Sequence, residues 1–209
     1  MTSLSISLTA FTLAAALLTL TPGLDTVLVL GTAVSGGTRP AALAGLGIAV
    51  GCLIWAALVA LGLGALIAAS QLGYALLRVV GAAYLMWTGY KLLRHPRETF
   101  VALGEDPRGR RAPFATGAMT NLLNPKVGLF YVSFLPQFVP HGVSVAPYVL
   151  LLGAIHVLLG LIWFACLIAA TRPIARWLRR PALLRSCDRL TGAVFVAFGI
   201  GLAIESRSR

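Results

Sequence analysis

Apolar residues run through this chain in long blocks, and the polar residues gather in the gaps between them. Six blocks are long enough, or nearly so, for a membrane-crossing helix: Leu4–Val34, Ala41–Ala68, Leu72 to about Leu93, Phe114–Val139, Ala146–Ala170 and Leu190–Ile204. A helix needs about 20 apolar residues to cross the hydrocarbon core. The last block has only 15 and reaches that length only by extending backwards, with Arg185 and Arg189 snorkelling to the interface. Two blocks are interrupted. Thr21-Pro22-Gly23-Leu24-Asp25 sits inside the first, and Asn124-Pro125-Lys126 inside the fourth. A proline in a helix interior costs about 3 kcal/mol, and a charge at the centre of a membrane helix about 3 kcal/mol. Such residues mark helix breaks with a use.

The blocks also repeat. "LTPG" (20–23) matches "LNPK" (123–126) at an offset of 103, "LIWAAL" (53–58) matches "LIWFAC" (161–166) at 108, and "RVVGAAYLMW" (78–87) matches "RLTGAVFVAF" (189–198) at 111. Three matches in one order argue for a duplicated three-helix unit. An odd number of crossings inserts the second copy upside down, as in transporters whose substrate site lies between discontinuous helices. The expected fold is therefore an all-α integral membrane protein of six transmembrane helices. They form two inverted three-helix repeats (1–95 and 113–209) joined by a basic cytoplasmic loop (96–112), with helices 1 and 4 broken at proline.

Composition agrees: 58% of residues are hydrophobic, 11% are charged and the mean hydropathy is +0.89. A net charge of +11 in a soluble chain would suggest nucleic acid, but no soluble basic domain is left to bind it. Thirteen Lys and Arg fall in the loops after blocks one, three and five, and two (Arg207, Arg209) on the opposite side. The positive-inside rule then puts the basic loops in the cytoplasm and both termini outside. The mixed-charge loop 94–113 reads as mobile. The stretch 172–189, with Trp177 among arginines, reads equally as an interfacial segment on anionic lipid or as flanking charge. Cys52, Cys166 and Cys187 follow no metal-finger spacing and read as small hydrophobes.

At the breaks, Thr21 and Asn124 are N-cap residues and Pro22 and Pro125 suit the first helical turn. The amides of Gly23 and Leu24, and of Lys126 and Val127, are then expected to face a common gap with the positive ends of two helix dipoles. Lys126 adds a cation and Asp25 an anion. Together they suit a zwitterionic amino acid: amides and Lys126 for its carboxylate, Asp25 for its ammonium. When empty, Asp25 and Lys126 can pair; alternatively Asp25 carries a coupling proton. Asn121, one turn before the second break, can face the same gap. His156 reads first as a histidine bonded to a neighbouring helix, and second as a proton relay. Glycines 45, 47, 51, 62 and 64, and Trp55 and Trp163, are expected to serve packing, and Arg78 and Arg189 to anchor helix starts.

These segments resemble the LysE/RhtB family of bacterial amino-acid exporters over nearly the whole chain. The likeness rests on "FTLAAALLTLTPGLDTVLV", the glycines following "SGGTRPAALAGLGIAVG", "GAAYLMWTGYKLLR" and "FATGAMTNLLNPKVGLFYVSFLPQFV". The resemblance implies proton-driven export of amino acids or close derivatives across the bacterial inner membrane. Its partners would be the substrate, protons and lipid, with no cofactor and no enzymatic activity; association with further copies of the chain is left open. Leu24 stands where the family commonly has a second proline, so a substrate does not transfer directly from relatives that keep both. Three other readings compete with this one. A thiol electron conductor needs two cysteines near the breaks, and Cys52 and Cys166 are expected away from them. An intramembrane enzyme lacks a partner for Asp25, the only carboxylate in the expected spans. A divalent-metal exporter using Asp25, His156 and cysteines is the nearest rival, without tight ligand spacing.

Overall fold

The computed structural model describes residues 2–69, 71–96, 112–140, 142–171 and 180–205, and these residues are helical with no strand. The eight helices are α1 (Thr2–Leu20), α2 (Leu24–Gly36), α3 (Thr38–Ala69), α4 (Gln71–Arg94), α5 (Pro113–Leu122), α6 (Pro125–Phe134), α7 (Val145–Ala169) and α8 (Pro181–Glu205), with a 3-10 turn at Leu135–Phe138 after α6. Most of the loop 94–113, whose mobility the sequence raised, and residues 172–179 of the segment 172–189, whose interfacial character it raised, lie outside the described residues.

The apolar helices carry hydroxyls that a hydrocarbon environment would leave without water. Several turn back on their own helix: Thr12 Oγ1 donates to the Leu8 carbonyl at 2.7 Å, Thr19 to Ala15 at 2.8 Å, and Thr32 to Leu28 at 2.7 Å. This satisfies the hydroxyl without an outside partner. The outward face is apolar, with Ile6, Leu61 and Leu123 each about two-thirds exposed or more. Such a continuous surface suits lipid rather than water. Within α3 the segment Thr38–Gly62, and α7 by itself, are long and apolar enough to cross a membrane; α1 and α2 together form a third such unit, bent by 50° at their break.

Small residues bring the helices together. A Cβ on Gly47 would lie 2.0 Å from the Phe114 carbonyl oxygen, and one on Gly117 2.1 Å from that of Ala44, so α3 and α5 approach at backbone distance. Gly89 of α4 and Gly192 of α8 do the same for each other. Gly62 departs from the packing expected of it: nothing lies within 4 Å of its added Cβ. Trp55 does pack, against Gly128. Where α1, α6, the 3-10 turn and α7 meet, Phe11, Phe130, Phe134 and Phe138 form a ring cluster. Ser7 Oγ caps the Phe138 carbonyl and accepts from Tyr148 Oη at 3.0 Å, locking the start of α1 to the end of that turn.

The last helix extends backwards as the sequence allowed, and two other expectations are corrected. It begins at Pro181 and has 25 residues, not 15, because Arg185 and Arg189 lie on its exposed side and do not interrupt it. It therefore includes Asp188, which is wholly buried, so Asp25 is not the only carboxylate inside an apolar helix. Neither Arg78 nor Arg189 starts its helix; α4 begins at Gln71 and α8 at Pro181.

Candidate functional site

The two breaks lie against each other. Asn121 Nδ2 donates to Asp25 Oδ2 at 2.8 Å, and Asn124 Nδ2 to Asp25 Oδ1 at 3.5 Å. In the other direction, Lys126 Nζ donates to the Thr21 carbonyl at 3.4 Å. The exchange follows from helix-end chemistry. Thr21 belongs to the carbonyl end of α1, where acceptors without intrahelical donors attract a cation. Asp25 lies in the first turn of α2, where the dipole favours a carboxylate. Gly23 lies beside the lysine: an added Cβ would sit in ordinary contact, 3.6 Å from Lys126 Nζ.

The caps differ from each other. Asn124 is the N-cap of α6, with Pro125 at its first position, and its Oδ1 accepts from the Lys126 amide at 3.0 Å. The Val127 amide donates to the Asn124 carbonyl at 3.1 Å. Both amides expected to face the gap are thus engaged, because the asparagine that starts the helix consumes them. At the first break Thr21 is not an N-cap. Its amide and its Oγ1 both donate to the Leu17 carbonyl, at 3.1 and 2.8 Å, closing α1, and its hydroxyl meets that of Thr191 on α8. Gly23 is the N-cap of α2, without a side-chain cap bond. The first amide to bond within that helix is Val27, to the Gly23 carbonyl at 2.9 Å, so the exposed positive end is made by the amides of Leu24, Asp25 and Thr26. The anion-attracting helix end is single, not double.

A cavity of ≈ 60 Å³ opens between α1, α2, α3, α6 and α7. Thr21, Gly23, Asp25, Asn124 and Lys126 line it. Asn121 stands behind them, wholly buried, touching Asp25. Pro22 is buried in the linker, and the Leu24 side chain is 43% exposed on the outer surface; these two shape the first break rather than line the cavity, while Pro125 starts α6.

Among the lining residues not expected at the breaks are Cys52, Thr26, Trp163 and His156. Cys52 of α3 reaches the cavity and lies 3.4 Å from Asn121 Nδ2, which corrects its placement away from the breaks; α3 passes directly beside α5, a relation no local pattern encodes. Thr26 lies one position past Asp25, and Trp163 Nε1 donates to its Oγ1 at 3.4 Å. Trp163 therefore lines the cavity as well as packing. His156 of α7 lines it too, with Nδ1 2.9 Å from Tyr131 Oη. Among the described residues no three His, Cys, Asp or Glu side chains are grouped to hold a metal ion.

The comparisons with known proteins agree with a membrane transport role. The family model for the LysE type translocator matches residues 16–206. The chain is 30% identical to an uncharacterized membrane protein of Bacillus subtilis, over 93% of this chain and 97% of that one. It is 30% identical to a homoserine/homoserine lactone efflux protein of Salmonella typhi (93% of this chain, 94% of the relative) and 32% identical to a threonine efflux protein of the same organism (89% and 92%). No solved structure matches. With nearly its whole length matched, this chain belongs to the LysE type translocator family.

Proposed function

We propose that the protein exports amino acids, or close derivatives, across the bacterial cytoplasmic membrane by proton antiport and alternating access. The observation that carries this reading is the cavity at two interlocked helix breaks, mostly apolar but with Asp25, held by Asn121 and Asn124, and Lys126 among its lining. A zwitterion needs an anion and a cation within one small site. Asp25 receives the ammonium, Lys126 and the amide end of α2 receive the carboxylate, and Thr21, Gly23, Asn121 and Asn124 hold these groups in register. Asp25 alternately carries the coupling proton, so that substrate and proton compete for one carboxylate. Pro22, Leu24 and Pro125 belong to the site through the breaks they create.

In this reading the helices form six crossings, with α1–α2 and α5–α6 each counting as one, in two inverted repeats over 1–95 and 113–209 joined by the cytoplasmic loop 96–112. Both termini face outward. The pairing of α3 with α5 and of α4 with α8 joins the halves, which suits rocking of one repeat against the other. Relatives named for efflux of homoserine, homoserine lactone and threonine support an amino-acid cargo.

The test is transport by purified protein in proteoliposomes, against a panel of amino acids, with and without an imposed pH gradient. Gradient-driven flux of one amino-acid class, absent in Asp25→Asn, is the expected result. Flux that ignores the gradient removes proton antiport, and movement of a divalent metal in place of any amino acid removes the zwitterion site.

A further inference from the structure

The amino and carboxyl groups of a substrate are common to every amino acid, so selectivity must come from another wall of the cavity. His156 is more than nine-tenths buried, yet it lines that cavity from α7, across from the elements that carry Asp25 and Lys126. Its ring is held on two sides, with its centroid 5.2 Å from that of Phe130 and 5.5 Å from that of Tyr131. Tyr131 Oη is 2.9 Å from Nδ1. Among the described residues no hydrogen bond is made to Nε2, the nitrogen left for whatever fills the cavity.

One turn further along α7, Gly160 also lines the cavity, and an added Cβ there would meet nothing within 4 Å. Residues four apart share a helix face. His156 and Gly160 thus make a small recess: a polar edge above and open space below.

We infer that His156, positioned by Tyr131, reads the side chain of the transported amino acid and selects one bearing a hydrogen-bonding group. This rests on the amino-acid reading above and names a specificity-determining residue within it. The need for a polar side chain follows from tautomer chemistry. If Tyr131 donates to Nδ1, Nε2 carries the proton and seeks an acceptor; if Nδ1 donates to Tyr131, Nε2 seeks a donor. A hydroxyl both donates and accepts, so it satisfies either arrangement. An apolar side chain of the same size leaves the buried imidazole nitrogen without a partner, which penalises binding. The recess beside Gly160 sets a second limit, on size.

The experiment compares threonine with valine, which exchanges the hydroxyl for a methyl at nearly constant shape. Proteoliposome flux is measured for wild type, His156→Leu, His156→Gln, Tyr131→Phe and Gly160→Leu, each first checked for a monodisperse elution profile. The wild-type kcat/KM ratio of threonine to valine is expected to be about tenfold or more. It falls towards unity in His156→Leu, falls part-way in Tyr131→Phe, and is restored in part by the amide of His156→Gln. Gly160→Leu discriminates against threonine relative to glycine. A ratio unmoved in the His156 and Tyr131 variants, with threonine still transported, overturns the inference and leaves the amino-acid reading standing. Wild type that carries neither amino acid, nor any other, removes that reading and the inference with it.

Discussion

Asn121 and Asp25 are 96 positions apart, and the asparagine amide donates to the aspartate at 2.8 Å from a wholly buried position. The bond ties the turn before one helix break to the turn after the other. A hydrogen bond to a charged group contributes about 1.5–3 kcal/mol, so this single contact is a large share of what holds the two breaks in register.

Asn121→Leu is expected to lower thermal stability in detergent and to reduce transport, since it leaves Asp25 with only the longer bond from Asn124. Asp25→Asn is expected to abolish gradient-driven flux. Because the residues share one bond, the double variant is expected to be less destabilised than the sum of the singles, by about 0.5–3 kcal/mol. Strict additivity in a thermal-unfolding cycle would show that the contact carries no energy.

Asn124 has two tasks that substitution separates. Its Oδ1 caps α6 through the Lys126 amide, and its Nδ2 reaches Asp25. Asn124→Ala removes both, with a cap loss of about 0.5–2 kcal/mol. Asn124→Ser keeps an acceptor for the cap without a donor of the same reach. Serine is therefore expected to recover most of the stability and little of the transport, measured as melting temperature and flux on the same preparations.

Gly51 and Gly62 lie on one helix, in opposite circumstances. A Cβ at Gly51 would lie 2.6 Å from Asn121 Oδ1 and 2.9 Å from Asn121 Cβ, whereas one at Gly62 meets nothing within 4 Å. Gly51→Ala is expected to displace Asn121 from Asp25, at an overpacking cost of about 1–3 kcal/mol, and to impair transport. Gly62→Ala is expected to leave transport intact and to gain up to about 1 kcal/mol from helix propensity. Equal behaviour of the two variants would contradict the packing described.

Membrane orientation is checked with single cysteines in a cysteine-free background. Ala112 and Ser144 are both exposed, and they flank α5 and α7 respectively. With the basic loops in the cytoplasm, Ser144→Cys is expected to react with an impermeant maleimide applied to whole cells stripped of their outer membrane. Ala112→Cys is expected to react only after the membrane is opened. The reverse pattern inverts the proposed topology.

The local pattern determined much of this molecule. Apolar blocks separated by basic gaps dictate helices in a membrane, because only there can so much apolar surface face outward. The pair Asn124-Pro125 dictates a helix start, since asparagine supplies the acceptor and proline loses no bond at the first position. The same logic failed at Thr21-Pro22. Threonine's hydroxyl and amide can equally bond backwards, and they close α1 onto Leu17, leaving the start of α2 to Gly23. Which way a threonine bonds depends on the packing around it, here the contact with Thr191 of α8. Tertiary structure alone decided that Asn121 and Asn124 hold Asp25, that Cys52 stands beside Asn121, and that His156 turns its ring to the cavity. Each is a contact between helices distant in sequence. Backbone proximity at glycines such as Gly47 and Gly117 makes these contacts possible, and no periodicity along one helix records where its neighbour will lie.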